Sequence, residues 1–339
     1  MGSRLTLIPD RIGGSRWRAC VALQRYGPKG VSVSCDDADP PEVLDGPSKR
    51  LVCNWAAWEH PDPNRDWALI SSERWTHEWA QNGFLGRFAS VTENIATARE
   101  RLPKFHGLIV PHLGMWSAAW DINKRVVVMP PAVDCELFEE RTAPFKGRDV
   151  RVGWCGTRHT LEKFSSHGYD DVLVPLMKAI SGNPNIEMVV NCPTAETRLT
   201  TSEMVKWYNG IDVLLVTAFS SGGPAVALEA MSCGRPVVGT NVGILGNLNA
   251  MATERFGAPA ASLVSAYSDV RGAAEAVGAL KRELLELVRD RQRAAETGRS
   301  AKRIVQAEYN WSRVAHVWID RLSNAHPRSV ARTASSTVP

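Results

Sequence analysis

Apolar residues follow two rhythms along this chain. Short unbroken runs bounded by turn formers read as strands buried on both faces, and longer stretches with apolar residues every third or fourth position read as helices packed over them. Residues 4–9 predict a strand, 10–15 a glycine-bearing turn, and 17–26 a helix with Trp17, Cys20 and Val21 on related faces, so the chain opens as a βα unit. Strands are predicted over 31–35, 49–58, 87–92 and 108–110, a helix over 93–101, and a closing strand and turn over 125–138. Residues 142–148 read as a linker between domains of 1–145 and 146–322. The second half predicts strands at 150–154, 186–191, 211–217 and 237–239, and helices at 172–180, 202–208 and 225–233. An amphipathic helix follows over 270–288, with Val277, Leu280, Leu284, Leu287 and Val288 along one stripe, and a last helix spans 311–322. This alternation predicts an α/β protein with parallel, doubly wound sheets. The tail, 323–339, is polar and small enough in composition to predict disorder.

The densest chemistry lies between Ile211 and Leu248. A buried strand runs into Ser220-Ser221-Gly222-Gly223, Pro224 sits where a first helical residue would, and Gly234 is the expected stop. Two glycines ahead of a helix N-terminus leave backbone N–H groups uncovered, and the helix dipole adds partial positive charge, so an anion such as a phosphate suits this turn. Glu229 stands out in an otherwise small, apolar helix. A buried carboxylate needs a donor; a pair of ligand hydroxyls and a neighbouring Arg or backbone N–H are the two readings.

The run Ser221-Gly222-Gly223-Pro224 followed by Leu228-Glu229-Ala230-Met231, Cys233-Gly234 and Pro236-Val237-Val238 resembles the donor-site signature of GT-B glycosyltransferases of the family 4 type. One position departs: Ser221 stands where that family carries a glutamate that touches the donor sugar. The resemblance implies two Rossmann-like domains facing across a cleft, with the last helix, 311–322, returning to the first domain. It implies sugar transfer from a nucleotide-sugar cosubstrate, UDP- or GDP-linked, with retention of anomeric configuration and without a metal or other cofactor. In that family an arginine and a lysine five apart grip the donor diphosphate in a loop after the second domain's first strand, and Arg158 and Lys163 repeat the spacing beyond Gly156. Glu229 would hold ribose hydroxyls, Gly222 and Gly223 would meet phosphate or sugar through their backbone beside Pro224, and the Gly13–Gly14 turn would approach the diphosphate or the acceptor. His112, after the strand at 108–110, would orient an acceptor hydroxyl or the donor sugar; His60 is a second candidate. Pro130-Pro131-Ala132-Val133-Asp134 and Phe138 keep the frame of the family's interdomain turn without its Asn-Gly.

Length and composition fit this picture. The chain has 339 residues, 44% hydrophobic and 22% charged, as in soluble globular proteins of two domains. A net charge of +4 suits anionic ligands but is no concentrated basic stripe for nucleic acid. Seven cysteines occur singly without metal-ligand spacing and predict reduced thiols in a cytoplasmic protein. No signal peptide or transmembrane segment is predicted; Met1-Gly2 followed by Thr6 only loosely matches a myristoylation pattern. Asp36-Asp37-Ala38-Asp39 offers the Asp-x-Asp spacing with which GT-A enzymes hold a metal, but Pro40-Pro41 mark it as a solvated loop. Trp55 and Trp58 could stack on a sugar or base or pack in the core; Trp75 and Trp79 share a helix face. The acceptor is left open among glycan, lipid, protein and modified DNA, and peripheral membrane attachment is compatible with it.

Overall fold

The computed structural model describes residues 5–8, 15–27, 31–33, 49–53, 58, 60–70, 96–147, 149–156, 158, 167–193, 197–219, 221, 223–267 and 270–324. Outside them lie Gly13 and Gly14, the Asp36–Asp39 segment, Trp55, Trp75, Trp79, the strand expected at 87–92, Lys163, Gly222 and the tail beyond 324. The chain divides into two compact units, one from the described residues up to 130 together with those after 310, the other from 131–310.

The first unit holds a six-stranded sheet built from β1 (Leu5–Ile8), β2 (Val31–Val33), β3 (Lys49–Val52), β4 (Asp66–Leu69), β5 (Gly107–Val110) and β6 (Val126–Val128). Every pairing is parallel, in the order β2-β1-β3-β4-β5-β6. Helix α1 (Ser15–Tyr26) packs on the C-terminal helix Trp311–Asn324. Strand β4 carries no period that would announce it, and α2 (Trp116–Ile122) is only seven residues long. β4 starts on a carboxylate, and Asp66 is tolerable at full burial because Arg50 forks onto it at 2.5 and 2.6 Å while Trp58 Nε1 and the Asp62 N–H donate to the same group. Apolar residues of β3, β4 and β5 then close a core with Leu102, Phe105, Met115 and Ala119.

The second unit is a five-stranded parallel sheet of β7 (Val150–Cys155), β8 (Ile186–Asn191), β9 (Val213–Val216), β10 (Val237–Thr240) and β11 (Ala261–Val264), ordered β11-β10-β9-β7-β8. Strand order reverses between β7 and β9, and open α/β sheets take their ligands beyond the carboxyl ends of the strands at such a switch point. Its helices are α3 (Val174–Ile180), α4 (Thr201–Asn209), α5 (Ala225–Ser232), α6 (Leu245–Phe256), α7 (Val270–Arg289) and α8 (Arg291–Glu308); the helix at 311–324 is α9. A capping box starts α4, with the Glu203 N–H on Thr200 Oγ1 and the Thr200 N–H on Glu203 Oε2. Helix α5 stops as expected, in a Schellman turn: the Arg235 N–H bonds the Ala230 carbonyl, the Gly234 N–H that of Met231, and Gly234 has φ of 76°.

Four features of the fold add to or depart from these expectations. Residues 172–180 do form a helix, but a π-helical turn, Tyr169–Leu173, precedes α3. Beyond β10 the chain turns directly into α6, which Leu245 and Gly246 open. Helix α8 was not expected at all: it buries Ala294, Thr297, Gly298, Ser300 and Ala301, a small and polar face in which only Ile304 and Val305 are bulky. The buried stripe of α7 runs through Ala273, Ala276, Leu280, Leu284 and Leu287, with Val277 and Val288 only half-buried.

Candidate functional site

The carboxyl ends of β7 and β9 are tied together under the switch point. Trp154, at 1% exposure, donates its indole N–H to Thr217 Oγ1 at 2.8 Å, and that hydroxyl donates to the His167 carbonyl at 2.5 Å. The Thr217 carbonyl accepts from Tyr267 Oη at 2.9 Å. Burial, reinforced by Asp171, pushes the Tyr267 phenol far above its ordinary pKa, so it acts as a fixed donor. Gly168 completes the knot with φ of 69°; a Cβ there would fall 2.0 Å from the Thr217 carbonyl oxygen and 2.5 Å from Tyr267 Oη. The chain returning from the loop after β7 is thus pinned to the end of β9 before it enters the π turn.

Gly156 lies just beyond β7, where a side chain would meet the Trp154 ring at 2.7 Å. Two residues on, Arg158 reaches Asp170 with Nη2 to Oδ1 at 3.0 Å and Nε to Oδ2 at 3.3 Å. Its guanidinium also lies 5.3 Å from the centroid of the Tyr169 ring, whose edge packs on Trp154. Arg158 is 56% exposed and Asp170 34%, so the pair contributes under about 1 kcal/mol to stability.

On the β9 side, Ser221 and Gly223 are half-buried. A Cβ on Gly223 would lie 2.6 Å from Pro131 Cγ. Pro224 is the N-cap of α5 rather than its first helical residue: its ψ of 99° is extended, and Ala225 begins the helix. The reason is visible in the bonding, since the Pro224 carbonyl already accepts from the Ala227 and Leu228 N–H groups. No side chain caps this end, which leaves the first turn as the anion-seeking feature expected from Gly223-Pro224.

Glu229, in the second turn of α5, is only 4% exposed and accepts from Tyr208 Oη at 2.9 Å. That phenol comes from α4. Tyr208 itself is fully buried, edge-on to Phe138, and its carbonyl is held by the buried Arg235. Gly156, Arg158, Ser221, Gly223, Pro224 and Glu229 therefore belong to one edge of the second sheet and the helix behind it. His112 belongs to the first unit, half-buried after β5 and ahead of the turn Leu113–Met115. His60 is exposed there, and Trp58 is engaged with Asp66 and Arg50. Sequence reasoning missed Tyr208, Gly168, Asp170, Thr217 and Tyr267. Only Gly168 ahead of two aspartates carried a local signal. Among the described residues no group of His, Cys, Asp and Glu is arranged to hold a metal, and six cysteines are free thiols.

Comparison with known proteins agrees with this architecture. Residues 186–283 match the family described as glycosyl transferases group 1. A segment of 81 residues is 35% identical to a D-inositol 3-phosphate glycosyltransferase of Pseudarthrobacter chlorophenolicus, covering 22% of this chain and 19% of that one. One of 41 residues is 49% identical to the enzyme so named from Paenarthrobacter aurescens, covering 12% and 10%. The matched segments thus span a fifth or less of those relatives. Among solved structures, Anabaena HepE in complex with UDP and glucose superposes with a TM-score of 0.59 at 12% identity, over 95% of this chain and all of that one. WaaG, a glycosyltransferase involved in lipopolysaccharide biosynthesis, gives 0.59 at 12% identity over 94% and 100%. TarM gives 0.56 at 15% identity, with 82% of this chain over 55% of TarM. The chain thus has the GT-B fold of these structures, and residues 186–283 of its second unit are similar to the group 1 glycosyltransferases.

Proposed function

We propose that this chain transfers a sugar from a nucleotide-sugar donor, UDP- or GDP-linked, to an acceptor, with retention and without a metal. The observation that carries the reading is Glu229: a carboxylate buried in an apolar helix and bonded to the Tyr208 phenol, behind the first turn of α5, which no side chain caps. Glu229 holds the ribose hydroxyls, and Arg158 with Lys163 holds the diphosphate. Guanidinium and ammonium then offset the charge that develops as the nucleoside diphosphate departs. The backbone at Gly156, Gly222 and Gly223 meets phosphate or sugar, Ser221 faces the sugar in place of a carboxylate, and His112 and the Gly13–Gly14 turn serve the acceptor side. Structures of HepE with UDP-glucose and of TarM with UDP support a uridine donor. No described helix is long and apolar enough to cross a membrane, which suits a cytoplasmic enzyme with a glycan, lipid, protein or modified-DNA acceptor.

Ser221 favours one second reading, a subunit that binds the donor without consuming it. Incubation with radiolabelled UDP-glucose, UDP-N-acetylglucosamine and GDP-mannose in EDTA, with and without cell extract, separates the cases. Label entering a macromolecular or lipid fraction only when extract is present supports transfer. Free sugar released without extract makes the protein a nucleotide-sugar hydrolase, and binding with no consumption makes it the silent subunit.

A further inference from the structure

Arg158 stands on a loop and is more than half exposed, conditions in which an arginine ordinarily samples many rotamers. Here two neighbours restrict it. Asp170 takes its Nε and Nη2 along one edge, and Tyr169 lies under the guanidinium at 5.3 Å. Both neighbours belong to the π turn, whose start is fixed by Gly168 against Thr217 and Tyr267. Among the described residues, nothing bonds Nη1.

We propose that Tyr169 and Asp170 are positioning residues that hold the Arg158 guanidinium with its Nη1 edge presented to the donor diphosphate. This rests on the donor-site reading above. The alternative physics is competition: a carboxylate beside the arginine would repel an incoming diphosphate and contest the same donors. Orientation outweighs repulsion here for two reasons. The pair is solvent-screened, at 56% and 34% exposure. The carboxylate also uses the Nε–Nη2 edge and leaves the Nη1 side for a second anion, as the five-donor fork of arginine permits. Fixing a long side chain beforehand removes an ordering cost at the moment of binding.

The test is titration calorimetry of the full chain with UDP, GDP and ADP, then with the monophosphate of whichever base binds. Variants are Asp170→Asn, Asp170→Glu, Tyr169→Phe and Tyr169→Ala. Asp170→Asn should weaken the diphosphate about fivefold, from the ordering of one side chain, and change the monophosphate by less than twofold. Asp170→Glu should recover most of the loss, Tyr169→Phe should behave as wild type, and Tyr169→Ala should resemble Asp170→Asn. A merely structural role, such as the two aspartates complementing a helix N-terminus, would move both nucleotides together and overturn the proposal. Tighter diphosphate binding by Asp170→Asn, or no change, overturns it as well. Wild type binding none of the three diphosphates overturns the donor-site reading and this inference with it.

Discussion

Removing one oxygen from Tyr208 tests the energetic core of the site. Tyr208→Phe keeps the ring against Phe138 and Trp207, whose centroids lie 5.9 and 5.1 Å away, so no cavity beyond the hydroxyl opens. What is lost is the 2.9 Å bond to Glu229 Oε2, between groups at 0% and 4% exposure where water is a poor substitute. A hydrogen bond to a charged group is worth about 1.5–3 kcal/mol, so urea unfolding should show a loss of about 2 kcal/mol. With Glu229→Gln as background, the amide oxygen still accepts from the phenol, but the bond is neutral and its removal should cost only about 1 kcal/mol. The cycle should therefore show a coupling of about 1 kcal/mol between the two positions. A Tyr208→Phe effect below about 0.5 kcal/mol, or one unchanged in the Gln background, would show that Glu229 is not held by the phenol as a carboxylate.

Gly168→Ala must move the end of β9 or give up the left-handed backbone, because the new Cβ would meet the Thr217 oxygen at 2.0 Å. A loss of about 2–4 kcal/mol in chemical denaturation is expected from backbone strain and a broken Tyr267 bond; a loss under about 1 kcal/mol would contradict the knot. Asp66→Asn strips the buried Arg50 of its counter-charge and should cost about 3–5 kcal/mol in the same assay, a prediction that near-neutral behaviour would defeat. Cys233 gives a pH signature: burial, helped by Glu229 and opposed by Arg235, pushes its thiol up to about 12. Above pH 9 the unfolded thiol ionises while the folded one keeps its proton, so unfolding is favoured progressively from about 9 to about 12. Thermal midpoints of wild type should fall more steeply than those of Cys233→Ala across that window, and parallel curves would remove Cys233 as a cause.

The second unit was more legible than the first, and the reason is physical. Its strands β9 and β10 are fully buried short runs, β7 is interrupted only by the exposed Arg151, and Gly234 announces the end of α5 through a backbone conformation other residues adopt with strain. β4 was hidden because it begins on Asp66, whose burial depends on Arg50 in another strand, a partnership with no local trace. Helix α8 was hidden because close packing against Gly298 selects small residues over apolar ones: a Cβ there would lie 2.4 Å from the Gly234 carbonyl oxygen. At the site, Glu229 and Arg158 were visible as charges in conspicuous places. Their supports, Tyr208 and Asp170, were not, since a tyrosine in one helix and an aspartate at the start of another say nothing about what they touch until the chain folds.

The central claim is that Glu229 belongs to a nucleotide-sugar donor site, and the most direct test is thermal stability of wild type and Glu229→Ala with UDP, GDP, ADP, CMP and dTDP. A ligand at one hundred times its dissociation constant stabilises by about 2.7 kcal/mol. One nucleoside diphosphate should raise the midpoint of wild type by several degrees and leave Glu229→Ala within a degree of its ligand-free value. Equal shifts in both proteins, or no shift in wild type with any nucleotide, would contradict the account.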